Sequence, residues 1–156
     1  MAESAPMSRT PKNPDFERLV RESFAKQQAM RTLGARLARV EPGQVEIELP
    51  YRDDLTQQHG FLHAGVVTAV LDSSCGYAAL SLMPPGAGVL SVEFKVNLLA
   101  PAKGELLIAR GRVLRAGRTI SVCQADATMR SGSDETPVAT MLGTMMTVKD
   151  RSDVVG

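Results

Sequence analysis

The chain has 156 residues, enough for one domain with a substantial core, and a formal net charge of +1 from 18 basic and 17 acidic side chains. That balance creates no field for a polyanion, and with no Trp and only 4% aromatic residues there are no stacking platforms for single-stranded nucleic acid. The two cysteines, Cys75 and Cys123, show neither CxxC pairing nor metal-ligand spacing and read as small buried hydrophobes in a reducing compartment.

Residues 1–13 are polar, hold Pro6 and Pro11, and lack the apolar region of a secretory signal. They are expected to be a disordered tail ahead of a single domain over 14–150. Asn13-Pro14-Asp15 predicts a helix start, with Asn as N-cap, Pro at the first helical position and an acid in the first turn. Phe16, Leu19, Val20 and Phe24 share one stripe, so this helix is amphipathic, and Gly34 ends it or the turn after it. A hairpin follows, with strands over 36–40 and 44–49 joined through Glu41-Pro42-Gly43-Gln44, whose central Pro-Gly favours a type II turn. Val45, Ile47 and Leu49 alternate with Glu46 and Glu48, the pattern of a half-buried strand.

Residues 55–62 read as a loop. A helix is predicted from Ala64 to Leu82, stopped by Pro84-Pro85-Gly86 and apolar around most of its circumference, which marks it as buried. Thr68, Asp72, Ser73 and Ser74 interrupt its apolar run, so it is not a membrane span. Four strand candidates follow, at 89–98, 105–114, 119–130 and 138–148, with Ala116-Gly117 and the polar stretch 132–137 as connections. Short connections predict antiparallel pairing. Six strands enclosing one buried helix make an α+β fold, and a soluble cytoplasmic protein is expected.

The segment richest in chemistry runs from Gln57 to Asp72. Asp72 lies about two turns inside a helix built for burial, too deep to cap it or to benefit from its dipole. No Lys or Arg occurs between Arg52 and Lys95 to pair it locally. Either it reaches a surface edge or bonds Ser or Thr neighbours, or it is a general base or nucleophile held in a semi-apolar cleft. His63-Ala64-Gly65 opens the same helix, as an ordinary junction or as a place where free N–H groups polarise a carbonyl oxygen. His59 and His63 stand four apart, but Gly60 argues for a loop, there are no other histidines and no HExxH pattern exists, so no metal is expected.

Together these residues resemble the PaaI-like branch of the hotdog-fold thioesterases. That family's pattern is an amide residue, a Gly, His-Gly-Gly and an acid nine residues after the His. Here it corresponds to Gln57, Gly60, His63-Ala64-Gly65 and Asp72. The stretch from Ser91 to Pro101 is similar to the strand after the family's central helix, and Arg115-Ala116-Gly117-Arg118 to its hairpin. The resemblance covers residues 35–148. It implies a hotdog fold, an antiparallel six-stranded sheet wrapped around one long central helix, and hydrolysis of acyl-CoA thioesters without a cofactor.

The resemblance also assigns roles. Asp72 attacks the thioester or activates water, across a dimer interface from the partner's loop. The Ala64 N–H is the main oxyanion donor within His63-Ala64-Gly65, Gln57 positions water or thioester, and His63 holds the loop. Ser91 lies beside the carboxylate, and Arg115 or Arg118 holds the CoA phosphates. Two departures stand out: Ala64 replaces the first Gly of the pair, and Gln57 accompanies Asp where relatives with Gln carry Glu. The family implies a homodimer sharing the active site, assembled into a homotetramer. An open sheet with edge strands gives dimerisation a physical basis as well. Two rival readings are a hotdog hydratase or dehydratase, whose Pro-Gly-rich loop is missing here, and a non-catalytic acyl-CoA-binding module, which has no evident use for Asp72.

Overall fold

The computed structural model describes residues 9–156. Helices α1 (Phe16–Lys26) and α2 (Gln28–Leu33) precede the hairpin of β1 (Arg36–Glu41) and β2 (Gln44–Pro50). A single 3-10 turn over Asp53–Leu55 leads to the long helix α3 (Ala64–Leu80), and then come β3 (Gly88–Leu98), β4 (Leu106–Ala116), β5 (Ile120–Ser131) and β6 (Asp134–Val148). Every strand pairing is antiparallel, in the order β1-β2-β4-β5-β6-β3. The sheet curls around α3, whose Val70, Leu71, Cys75, Ala78 and Leu80 are fully buried against it. This is the hotdog arrangement, as expected from the pattern of elements. Among the described residues, no helix is long and apolar enough to cross a membrane.

The fit of helix to sheet is close enough to involve backbone. A Cβ on Gly111 of β4 would stand 2.3 Å from the carbonyl oxygen of Ser74 in α3. Only a residue without a side chain lets the helix rest there. At its far end α3 is tied to the first hairpin. The Ser81 hydroxyl donates to Ala78 O at 2.7 Å and accepts the Gly43 N–H at 2.8 Å, so the helix stops at Leu80, two residues before the expected end. Gly43 has φ +73°, as the third position of a type II turn requires.

Several local expectations shift. Residues 1–8 of the anticipated tail lie outside the described residues, while Asn13 is buried. Asn13 forms a turn rather than the cap itself: its Oδ1 accepts the Asp15 N–H at 3.0 Å, Asp15 becomes the N-cap, and α1 begins at Phe16. The amphipathic stripe then packs on the core, with Val20 buried and the Phe24 ring edge-on to Tyr77 at 5.6 Å. The chain bends at Gln27, ahead of Gly34, which ends α2 at φ +79°.

The last connection is shorter than the polar composition of 132–137 suggests, because β6 already begins at Asp134 and pairs with Ser131. Pro137 is accommodated by a register shift that leaves Val138 extra on β6, and Val138 O takes the N–H of Leu99 instead. Finally, β3 and β4 are not neighbours despite their short connection. β3 pairs with β6 at one edge, and β4 lies between β2 and β5.

Candidate active site

Three short-range features build the mouth of α3. His63 is the N-cap, in extended conformation, and its Nδ1 accepts the Gly65 N–H at 2.9 Å. A Cβ on Gly65 would lie 3.1 Å from that ring nitrogen, so a side chain there would crowd the capping ring. The N–H groups of Val66 and Val67 both go to His63 O. Of the first-turn amides, only that of Ala64 is left without an acceptor among the described residues. It faces outward with the partial positive charge of a helix start behind it.

The loop before the helix is pinned on both sides. Thr56 bridges Leu62, the His63 N–H donates to Leu55 O, and the Tyr51 hydroxyl donates to Gly60 O at 2.8 Å. Gly60 turns the chain at φ +78°. Gln57 uses its Oε1 to accept the His59 N–H, and no acceptor among the described residues takes its amide N–H groups. Gln57 and Ala64 line a mostly apolar cavity of about 380 Å³ with Phe61, Val67, Leu99 and Pro101.

Asp72 belongs to a second cavity, of about 290 Å³. It follows Ala64 by eight positions on one helix, which places it about 12 Å further along the axis. With Ala69 and Gly76 it makes the partly exposed stripe of an otherwise buried helix. The Ser91 hydroxyl of β3 donates to Asp72 Oδ1 at 2.7 Å. Ser91 stands just before a register shift that adds Val92 to β3, the kind of irregularity that re-aims a side chain.

One chain therefore brings Gln57 and Ala64 to one cavity, with His63 and Gly65 flanking Ala64 in the chain, and Asp72 and Ser91 to another. Gly65, included among the candidate donors, already spends its N–H on His63. Arg115 and Arg118 lie at the β4–β5 turn and line neither cavity. Their neighbours Arg110 and Arg112 are held by acids across the sheet face, Arg110 by Glu46 and Glu135 and Arg112 by Asp126. Arg115 and Arg118 have no ion pair among the described residues. No group of metal-ligating side chains occurs among the described residues.

Among the described residues, the edge strand β3 is unpaired on its outer side, and it carries exposed apolar residues, Val92 and Leu98 at 55% and Phe94 at 43% exposure. A long apolar edge is a template for pairing with another strand. Sequence reasoning missed the second cavity's remaining walls: Ser23 and Gln27 at the end of α1, Gly76 and Tyr77 on α3, and Val154 and Val155 of the C-terminal segment. The signal available for them was the spacing of Ala69, Asp72 and Gly76, three small or polar residues on one face of an apolar helix.

Comparison with known proteins adds four findings. Residues 59–136, half of the chain, match the model of the thioesterase superfamily. A thioesterase family protein of Silicibacter pomeroyi, known from its crystal structure, is 50% identical and superposes with a TM-score of 0.84 over 90% of this chain and 99% of that one. Acyl-coenzyme A thioesterase 13 of Homo sapiens is 32% identical over 91 residues, 58% of this chain and 64% of that one. The PaaI protein of E. coli, from the phenylacetic acid degradation operon, shares the fold at a TM-score of 0.78 and 16% identity, covering 86% of this chain and 94% of that one.

Proposed function

The chain belongs to the thioesterase superfamily, and from that premise we propose that it cleaves small or medium acyl- or aryl-CoA thioesters to free acid and CoA at a site completed by a second copy. It is a thioester hydrolase. The observation that carries the finer reading is the separation of an unpaired donor from an oriented carboxylate along one helix. An acyl-transfer site needs a hydrogen-bond donor about 3 Å from the forming oxyanion and a base on the other side of the same carbonyl carbon. A single chain holds Ala64 N–H and Asp72 too far apart for both tasks. A symmetric pair joined through the exposed β3 edge supplies one from each subunit.

In this mechanism the thioester carbonyl oxygen lies on the Ala64 N–H. Asp72 either takes a proton from water as the water attacks, or attacks the carbonyl carbon itself. The tetrahedral oxyanion is stabilised by the helix N-terminus, and its collapse breaks the C–S bond and expels CoA as the thiolate. On the nucleophilic route water then hydrolyses the acyl–Asp72 anhydride, releasing the free acid and restoring the carboxylate. His63 fixes the first turn, and the free Gln57 amide orients the water or the thioester. Ser91 holds Asp72 in one rotamer. Arg115 and Arg118, without ion pairs among the described residues, are available for the CoA phosphates. A dimer of dimers and a cytoplasmic location belong to the same proposal.

The test is thiol release from a panel of acyl-CoAs by native protein and Asp72→Asn, both checked for fold and assembly. Loss of about a hundredfold or more in turnover supports the mechanism, as expected for a missing general base. If no thioester is cleaved, or if the variant matches the native protein, the reading fails and a binding module takes its place.

A further inference from the structure

Helix α3 carries a glycine for which its packing gives no reason. Gly76 stands one turn after Asp72, in the interior of the helix, where glycine weakens the helix relative to alanine. A buried glycine usually answers to a close neighbour, as Gly111 does to Ser74. A Cβ on Gly76, by contrast, would meet nothing within 4 Å. It would project into the cavity beside Asp72, which Gly76 lines. This glycine provides room rather than contact.

The helical wall of that cavity is polar. The Ser73 hydroxyl donates to Gln27 Oε1 at 3.3 Å, and the Tyr77 hydroxyl interacts with Ser23. Tyr77 and Ser73 are each only 6% exposed. No acceptor among the described residues takes the Gln27 amide N–H groups. A hydrocarbon tail pressed against this wall strips water from the amide and the hydroxyls and offers nothing in return. An oxygen at the distal end of the ligand accepts from the Gln27 amide and exchanges hydrogen bonds with Tyr77. Sites built with such groups reject the analogue that lacks the oxygen, because their own polar atoms are then left unpaired.

Resting on the hydrolase reading above, we infer that this cavity receives the acyl group. In it Gly76 sets the available width, and the wall of Ser23, Gln27, Ser73 and Tyr77 selects a short acyl group with a distal hydroxyl or carbonyl oxygen over the plain hydrocarbon. The cavity's position fits that use, since the carbonyl carbon must come within reach of Asp72 and the acyl group extends from that carbon.

The test uses thioether analogues of short and medium acyl-CoAs, which bind but cannot be cleaved, in matched pairs with and without a terminal hydroxyl. They are titrated calorimetrically into the native dimer, Gln27→Leu and Gly76→Leu, with Gly76→Ala as a stability control. In at least one pair the hydroxylated member binds the native protein about tenfold tighter, as one well-made hydrogen bond provides. That advantage disappears in Gln27→Leu. Gly76→Leu weakens both members by about tenfold or more, while Gly76→Ala melts higher than the native protein because the added methyl meets nothing within 4 Å and a helix-weakening glycine is removed. Equal or tighter binding of the hydrocarbon member in every pair, no binding of either member, or native-like binding by Gly76→Leu overturns the inference. The analogues are not turned over, so absence of thiol release from true thioesters, with the pairwise preference intact, counts against hydrolysis alone.

Discussion

The Ser91 hydroxyl donates to Asp72 Oδ1 at 2.7 Å, and among the described residues Oδ2 accepts nothing. One oxygen of the carboxylate is thus anchored to the sheet, and an edge strand and a central helix are tied to each other at the group proposed as the base or nucleophile. Ser91→Ala frees the carboxylate to rotate, and turnover should fall about tenfold, in line with the loss of one hydrogen bond to a charged group. Steady-state kinetics with a good substrate checks this. An unchanged kcat would mean that Ser91 is merely a neighbour.

Ala64 occupies the first helical position, and His63 before it is already extended at φ −60° and ψ 139°. Proline is welcome at that position and tolerates an extended predecessor. Ala64→Pro therefore deletes the one first-turn amide proton of α3 that has no acceptor among the described residues, with little cost to folding. Its melting temperature should stay near that of the native protein while kcat falls about a hundredfold or more, as for loss of an oxyanion donor.

Two silent variants should rescue one another if the site is shared. Asp72→Asn and Ala64→Pro, mixed after reversible dissociation or co-expressed, form heterodimers in which one of the two sites combines an intact Asp72 with an intact Ala64 N–H. Activity should then rise well above that of either variant alone. Additive, unrescued activities from a verified heterodimer would locate the whole site within one chain.

Gly111→Ala tests the helix-to-sheet contact. The added methyl carbon would lie 2.3 Å from Ser74 O and 2.9 Å from Cys75 N, both backbone atoms of α3. Neither can yield without moving the helix, so the cost should be at least about 3 kcal/mol, the upper part of the overpacking range. Urea unfolding gives the number. Activity should suffer too, since both ends of the proposed site ride on α3.

Stability should decline on acidification through two carboxyls of the outer sheet face. The hydrogen bonds from Arg110 chiefly hold Glu135 below its ordinary value, against the effect of burial. Burial pushes Asp126 up, but hydrogen bonds from Arg112, Thr140 and Gln124 outweigh it and leave that carboxyl lowered as well. Both groups bind protons more readily in the unfolded chain. Their contribution is complete above the ordinary carboxylate range and is lost as pH falls through their lowered folded values. Glu135→Gln should flatten the acid side of a melting-temperature profile. At neutral pH it should cost only about 0.5 kcal/mol, because the ion pair is partly solvated.

Much of this fold is legible in the order and period of its elements. α3 announces itself by being apolar all round, and the first hairpin by Pro42-Gly43 between alternating strands. The partnership of β3 with β6 is not legible. It depends on which distant edge remains after β4, β5 and β6 have paired, and no local pattern encodes that. The start of β6 was hidden because Pro137 and polar residues read as a loop, whereas one extra residue, Val138, absorbs the missing donor. In the site, the suspicion about Asp72 came from chemistry that its helix could not explain. Gly76 drew none, because a glycine that faces empty space looks in sequence like one that faces a neighbour.

Cys75 and Cys123 are fully buried, and burial pushes both thiols up, that of Cys123 to about 12. Thiols so protonated and enclosed do not react with disulfide dyes while the fold is intact. A dye that traps released CoA thus sees a silent protein background, and the slope of the trace is hydrolysis alone. When the chain unfolds, two more equivalents per subunit appear in the same signal. A single cuvette can therefore report whether an inactive variant has lost its chemistry or its structure.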